Sequence, residues 1–373
     1  MTNTQKLLDW FDAHRRTHLP WREDPTPYHV WVSEIMLQQT RVETVLPYYE
    51  RFMARLPDLQ DLAEVDEDSL LKLWQGLGYY SRAKNLKKAA RVMVEDHGGR
   101  IPRDWEDLTA LPGIGPYTAG AILSIAFQEP YLAPDGNLYR IGARMTMEEE
   151  EIEKSSSKRR VEDFLKSFLS EDRPGDFNQA LMDLGSGICL AKGQPLCRLC
   201  PLQEGCLAFR EGRQSEFPRR KEKKKRREEE KTLLLIRRGE DVLLVRRPQK
   251  GLLGGLWSLP MLAGHWNEKE VSAWMEERMG QTSSSHSVRY NGSYRHIFSH
   301  VEWDMICYLL EDCEPNRFLV GEKDGAFLVH PSDGEGLEAF DEAVWADPED
   351  LAQEYSIPSA FLPFFTEAEV DET

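Results

Sequence analysis

From Arg219 to Lys231 the chain reads RRKEKKKRREEEK, in which every residue is charged. Such a run buries no apolar surface, so it cannot sit inside a hydrophobic core. Residues 216–231 therefore read as an exposed charged linker, and the fold must divide around it. The hydrophobic period changes across this run. Before it the apolar residues recur at helical spacing; after it they form short β-type runs. The expectation is a multidomain chain, an all-α region followed by an α+β domain. The length of 373 residues allows two or three domains with real cores.

Within the first region, "WVSEIMLQQTRVETVLPYYERF" (31–52) carries a helical apolar face that Pro47 should break. Residues 67–99 read as two helices joined at "GLGYY" and closed by Gly98–Gly99. Residues 156–169 and 176–189 read as further helices. Beyond the linker, "KTLLLIRRGEDVLLVRRP" (231–248) reads as a hairpin turning at "RRGED". "VSAWMEERMG" (271–280) reads as a helix and "FSHVEWDMICYLL" (298–310) as a strand.

The N-terminal residues have no apolar stretch of the signal-peptide kind, and no window approaches the roughly 18 apolar residues of a membrane span. A reducing, cytoplasmic location follows as the expectation, with no membrane partner. The net charge of −17 disfavours a sequence-blind nucleic-acid binder. Net charge is a sum, however, and a binding face is local. The acid concentrates in "MEEEEIEK" (147–154) and after Asp333.

Four of the six cysteines, Cys189, Cys197, Cys200 and Cys206, fall in one loop with C-x7-C-x2-C-x5-C spacing. In a reducing compartment such clustering points to metal rather than disulfides. A zinc ribbon joins two distant C-x2-C pairs, whereas four thiolates on one short loop suit a [4Fe–4S] cluster; zinc and unliganded thiols remain the alternatives. Cys307 and Cys313 read as small buried residues.

"LPGIGPYTAG" (111–120) places Gly113 and Gly115 before a helix start. Glycine there permits close backbone approach, and free N–H groups at the helix start attract a phosphate. This is the second half of a helix-hairpin-helix element, or a plain helix-turn-helix.

The hairpin, the "DGN" segment (135–137) and the four-cysteine loop together resemble the endonuclease III superfamily of DNA glycosylases. Within it, "PWR" (20–22), "WVSEIMLQQTRVETV" (31–45), "GLGYYSRAKNL" (76–86), "LPGIGPYTAGAILS" (111–124), "FNQALMDLGSGIC" (177–189), "GLLGGLWSLP" (251–260) and "FSH" (298–300) resemble the adenine glycosylases of the MutY type. The resemblance implies a [4Fe–4S] cofactor and, as partner, double-stranded DNA with adenine mispaired with 8-oxoguanine or guanine. A nucleoid-associated enzyme acting as a monomer is expected.

Two carboxylates suit this chemistry. Glu34 lies in an apolar helical run that should raise its pKa; Asp135 lies at a helix start whose N–H groups should keep it ionised. The residues alone leave open a buried structural Glu and a capping Asp. The resemblance makes Glu34 the general acid and Asp135 the carboxylate that stabilises or traps the sugar cation. Tyr117 stands where strand-cutting relatives carry a Schiff-base lysine, which implies a monofunctional enzyme. Asn137 and Arg22 match residues that position the site. Leu37, Gln39, Thr40 and Tyr79 match residues that contact or wedge into the base stack, with Gly113 and Gly115 on the backbone.

The C-terminal region resembles a Nudix domain. Gly264, Glu270 and Arg278 fit the Nudix frame, but Met279, Thr282 and Ser283 stand where metal-binding glutamates belong, so no pyrophosphatase activity is inferred. The resemblance instead gives this domain the reading of 8-oxoguanine, through Phe298, Ser299 and His300. The expected organisation is a glycosylase region over 1–215, with the hairpin near 108–124 and the cluster loop at 189–206. The linker covers 216–231, the Nudix-like domain 232–360, and an acidic tail 361–373. A glycosylase–lyase acting on oxidised pyrimidines and a non-catalytic lesion binder are the competing readings. Intact Glu34 and Asp135 oppose the second.

Overall fold

A computed structural model describes residues 1–222, 225–279, 287–311, 322–323, 326–328 and 336–365. Thr282, Ser283 and the tail from residue 366 lie outside them. The chain forms two compact units: Met1–Val65 with Ser81–Lys223, and Asp66–Tyr80 with Lys224–Thr373. The helices, in chain order, are α1 (Asn3–His14), α2 (Pro20–Glu23), α3 (Pro27–Leu37), α4 (Val42–Arg55), α5 (Leu59–Glu64), α6 (Glu67–Trp74), α7 (Ser81–Asp96), α8 (Trp105–Ala110), α9 (Pro116–Ala121), α10 (Gly136–Thr146), α11 (Ser155–Lys166), α12 (Pro174–Gly187) and α13 (Leu207–Arg210). Of these, α6 belongs to the second unit, an allegiance the expected boundary near residue 215 does not foresee. None of the described helices is long and apolar enough to cross a membrane.

Helix starts follow local chemistry. Thr26 caps α3 through the His29 N–H, with Pro27 at the first helical position, and Asp135 caps α10. Helices α1, α10, α11 and α12 bury Leu7, Phe11, Leu138, Ile141, Val161, Phe177 and Leu184 in one core. Pro47 does not end its helix. It sits inside α4, and the break falls earlier, at Gln38–Arg41. A proline so near a helix start forfeits one hydrogen bond, a loss that burial of Val45, Tyr49 and Phe52 offsets. The break itself is fixed by Arg82 of α7. Its Nη1 donates to the carbonyls of Ile35, Met36 and Gln38 at the α3 C-terminus, at 2.7–2.8 Å.

The second unit is built on a mixed sheet. Its strands are β1 (Arg227–Arg238), β2 (Asp241–Arg246), β3 (Trp257–Ser258), β4 (Met261–Ala263), β5 (Ser287–Ile297), β6 (Val301–Glu311), β7 (Glu322–Lys323), β8 (Ala326–Leu328) and β9 (Glu342–Ala346). The order is β5-β6-β1-β2-β9-β8-β7, with β3 on β2 and β4 on β1. The expected hairpin forms, β1 against β2, with Arg238 opposite Asp241. The unbroken run "LLLI" is explained by burial on both faces. Leu233 and Leu235 enter one core with Leu244, Met305 and Phe361; Leu234 and Ile236 enter another with Val271, Trp274 and Met275 of α14 (Glu268–Met279). A last helix, α15, spans Pro348–Gln353.

The charged linker is corrected at both ends. Phe217 is buried, and Arg219 accepts the Ile152 N–H at its carbonyl while pairing with Glu149 and Glu216. At the other end, β1 starts at Arg227, because Arg227–Arg237 pair in parallel with Val301–Glu311 of β6. Backbone pairing to a distant strand makes a strand of residues whose side chains carry no apolar signal.

Candidate active site

Within the first unit, a pocket of about 380 Å³ is lined by Glu34, Tyr117, Asp135, Asn137, Arg22 and Leu37, among others. Thr40 also reaches it. Arg22, Glu34, Leu37, Thr40, Tyr117, Asp135 and Asn137, far apart in sequence, thus line one cavity.

Glu34 lies on α3 among the buried Val30, Trp31, Val32, Ile35 and Met36, and is itself buried. Burial pushes its carboxyl up to about 7; the Tyr117 hydrogen bond and Arg22 pull it down, while Asp135 pushes it up. The Tyr117 hydroxyl donates to Glu34 Oε2. Tyr117 is the second residue of α9, after Pro116 and the glycine hairpin. That hairpin needs Gly113: its φ is +78°, and a Cβ there would sit 2.8 Å from the Asn85 Cβ. Gly115 is the N-cap of α9 and faces open space.

Asp135 caps α10. Its Oδ1 accepts the N–H groups of Asn137 (2.8 Å) and Leu138 (2.7 Å), and its Oδ2 accepts the Asn137 side-chain amide (2.7 Å). Three donors favour the charged form, as expected, but burial outweighs them and raises the carboxyl above its ordinary value. The two carboxyls are therefore not driven in opposite directions. Burial raises both, and they differ in hydrogen bonding, with three N–H donors on Asp135 against one phenol on Glu34.

Asn137 is in turn oriented by Arg140, whose Nη2 donates to Asn137 Oδ1 (2.8 Å) and to the Gly185 carbonyl (2.7 Å). Arg140 Nε donates to the Cys189 carbonyl at 2.8 Å. Sequence reasoning misses Arg140, although an arginine three residues after Asn137, on the same helix face, is a usable signal. It also misses Gly185, where a Cβ would lie 2.5 Å from the Asn137 Cβ. Arg22 faces the pocket and is held by Asp183 through two bonds of 2.8 and 2.9 Å; Arg16 shares the same carboxylate.

Leu37 is half-buried at the pocket wall, and Gln39 is exposed at φ +58° on the turn that Arg82 braces. Tyr79 lies in the other unit, exposed at φ +50°, with its hydroxyl 3.1 Å from Ser299 Oγ. The "FSH" residues form the turn between β5 and β6, closed by the Phe298 N–H to the Val301 carbonyl. The Phe298 ring stacks edge-on to Trp303, with centroids 4.9 Å apart, while Ser299 and His300 are exposed. In the Nudix frame, Glu270 accepts the Asn267 N–H at 2.7 Å, the bond of a helix cap.

The four loop cysteines are partly buried and free of disulfides. Cys189, Cys200 and Cys206 lean on the α10–α12 core. Burial raises the thiols of Cys197, Cys200 and Cys206, and the nearby Cys189 raises all three further. Arg144 Nη1 donates to Cys189 Sγ at 3.1 Å. Gly193, between Cys189 and Cys197, takes φ +75°, a backbone conformation that suits glycine. Among the described residues no three His, Cys, Asp or Glu side chains are arranged about a single metal ion.

Two family models match the chain, the HhH-GPD superfamily of base excision DNA repair proteins over residues 32–167 and the NUDIX domain over residues 232–367. Similar proteins include the adenine DNA glycosylase of Rattus norvegicus, 35% identical over 362 residues, covering 82% of this chain and 70% of that protein. The adenine DNA glycosylase of Buchnera aphidicola subsp. Schizaphis graminum (strain Sg) is 33% identical, covering 86% of this chain and 91% of that one. That of Schizosaccharomyces pombe is 32% identical, covering 80% and 79%. Among solved structures, a thermostable thymine-DNA glycosylase superposes with a TM-score of 0.50 at 26% identity, over 56% of this chain and 95% of that one. A helix-hairpin-helix glycosylase region and a Nudix-like domain on one chain, with these relatives, lead to one assignment: the chain is a DNA glycosylase and belongs to the adenine DNA glycosylase family.

Proposed function

We propose that this pocket excises adenine paired with 8-oxoguanine or guanine, by hydrolysis and without cutting the strand. The observation that carries the reading is the Tyr117–Glu34 hydrogen bond in a pocket that also holds Asp135. An extruded adenine meets Glu34, which holds a proton near neutral pH and delivers it to the departing base. The glycosidic C–N bond breaks with its electron pair on the base. The cationic sugar left behind is stabilised by Asp135, whose charge Asn137 and the α10 N–H groups orient. Water then adds to the sugar carbon and gives up a proton. Tyr117 offers a phenol, which forms no imine with the sugar, so the product is an abasic site in an intact strand.

Leu37, Gln39 and Thr40 serve the base stack, and Gly113 and Gly115 the DNA backbone. Phe298, Ser299 and His300 belong to the reading of 8-oxoguanine, with Ser299 and His300 as the exposed contacts and the half-buried Phe298, packed on Trp303, as their anchor. Cys189, Cys197, Cys200 and Cys206 would hold a [4Fe–4S] cluster, which supplies a rigid anchor for their loop. Four soft sulfur donors within electrostatic reach of one another support this, as does the Arg144 N–H directed at Cys189.

The test is incubation with duplexes carrying single defined mispairs, analysed with and without alkali. Adenine release opposite 8-oxoguanine with breaks only after alkali is expected. Strand breaks without alkali, or release of an oxidised pyrimidine in place of adenine, would overturn the reading.

A further inference from the structure

Residues Asp66–Tyr80 stand between helices of the first unit in sequence but belong to the second in space. The fastening is specific. Lys72 Nζ donates to the carbonyls of Tyr355 (2.9 Å) and Leu351 (3.3 Å). Gln75 Nε2 donates to the Ile357 carbonyl at 3.0 Å, and the Ser356 hydroxyl donates to the Leu71 carbonyl at 3.0 Å. Arg246 of β2 pairs with Asp68 at 2.7 Å. At the far end of the segment, the loop is shaped by Gly76 and Gly78 at positive φ and by the Trp74 Nε1 bond to the Gly78 carbonyl. It delivers Tyr79, exposed, to within 3.1 Å of Ser299.

We infer that Asp66–Tyr80 is a working part of the lesion-reading unit, in which Lys72 and Gln75 are positioning residues that hold the Tyr79 ring beside the Ser299 hydroxyl. A stacking ring and a hydrogen-bonding hydroxyl then meet the nucleotide opposite the adenine as one element. The geometry gives the reason. Lys72 and Gln75 grip main-chain carbonyls of residues 351–357, whose neighbour Phe361 is in the same core as Trp303, and Trp303 packs against Phe298 of the turn that carries Ser299. Both Tyr79 and Ser299 are thus tied to one packed core. The inference rests on the reading of Tyr79 and Ser299 as lesion contacts.

The experiment uses the full chain and measures the ratio of adenine excision rates opposite 8-oxoguanine and opposite guanine at limiting enzyme. Tyr79→Ala is made first; a fall in the ratio is expected, and an unchanged ratio removes the wedge reading and this inference with it. Lys72→Met and Gln75→Leu are then expected to lower the ratio by about fivefold or more, the scale of a direct coupling. In the Tyr79→Ala background the same two changes are expected to do nothing further, because the ring they position is gone. A merely structural role would carry its cost into that background. If Lys72→Met and Gln75→Leu keep the wild-type ratio while Tyr79→Ala loses it, or if their losses add in full to that of Tyr79→Ala, the positioning role is overturned and the wedge reading stands.

Discussion

The Tyr117 hydroxyl donates to Glu34 Oε2, joining the helix after the hairpin to the apolar helix that carries the acid. The bond works against burial: desolvation drives the Glu34 carboxyl up to about 7, and the phenol restrains the rise. The result is a donor that is part-protonated at neutral pH and fixed in direction.

Glu34→Gln keeps the shape of the side chain but delivers no proton. General acid catalysis contributes roughly 10²–10⁴-fold, so single-turnover excision should fall at least that far while duplex affinity stays within about tenfold. Near-wild-type excision by this variant would make Glu34 a structural carboxyl.

The pH dependence has a definite sign. Glu34 titrates near 7 in the folded chain against an ordinary value of 4.5, so it holds its proton longer when folded. The stability this contributes is complete below about 4.5 and is lost as pH rises through about 7. Excision should likewise decline as pH rises through that range. Measured by thermal unfolding, Glu34→Gln should gain on the wild type between pH 5 and pH 8. An equal difference at both pH values would contradict the assigned shift.

Tyr117→Phe removes the hydrogen bond that lowers the Glu34 carboxyl. The fall of single-turnover rate with pH should therefore move to higher pH than in the wild type. A shift in the other direction would mean that the phenol stabilises the protonated acid.

Gly185→Ala is a sharp test of how Asn137 is held. Alanine should help the interior of α12 by up to about 1 kcal/mol on propensity alone. Its Cβ, however, would fall 2.5 Å from that of Asn137, the residue bonded to Asp135. Excision should drop by about tenfold or more, as misplacement of a catalytic group by an ångström can cost 10²-fold. Retained activity would show that the Asn137–Asp135 contact is dispensable.

The "FSH" turn separates anchor from reader. Phe298→Ala should cost stability, at least about 1 kcal/mol, since the ring packs on Trp303. Ser299→Ala should leave the unfolding midpoint in place and reduce the preference for 8-oxoguanine over guanine. The two effects are read by calorimetry and by excision from paired duplexes.

Much of this protein is written locally. Helical periods, the hairpin at Arg238–Asp241, the cap at Asp135 and the glycines of the 111–115 hairpin follow from residues within a few positions of each other, where sterics and short hydrogen bonds decide. Glu34 is recognisable because a carboxyl inside an apolar run stands out wherever the run folds. What tertiary structure decided involves partners far apart in sequence. Burial at the pocket raises Asp135 despite its three donors, and no local pattern reports that burial. Arg140 reaches Asn137 on its own helix but also Gly185 and Cys189 on another segment. Charged residues from Arg227 onward become strand only because β6 lies alongside. Asp66–Tyr80 joins the second unit through Lys72, whose carbonyl partner Leu351 is 279 positions away. A donor on a helix shows in the sequence; the distant carbonyl it satisfies exists only once the chain has folded.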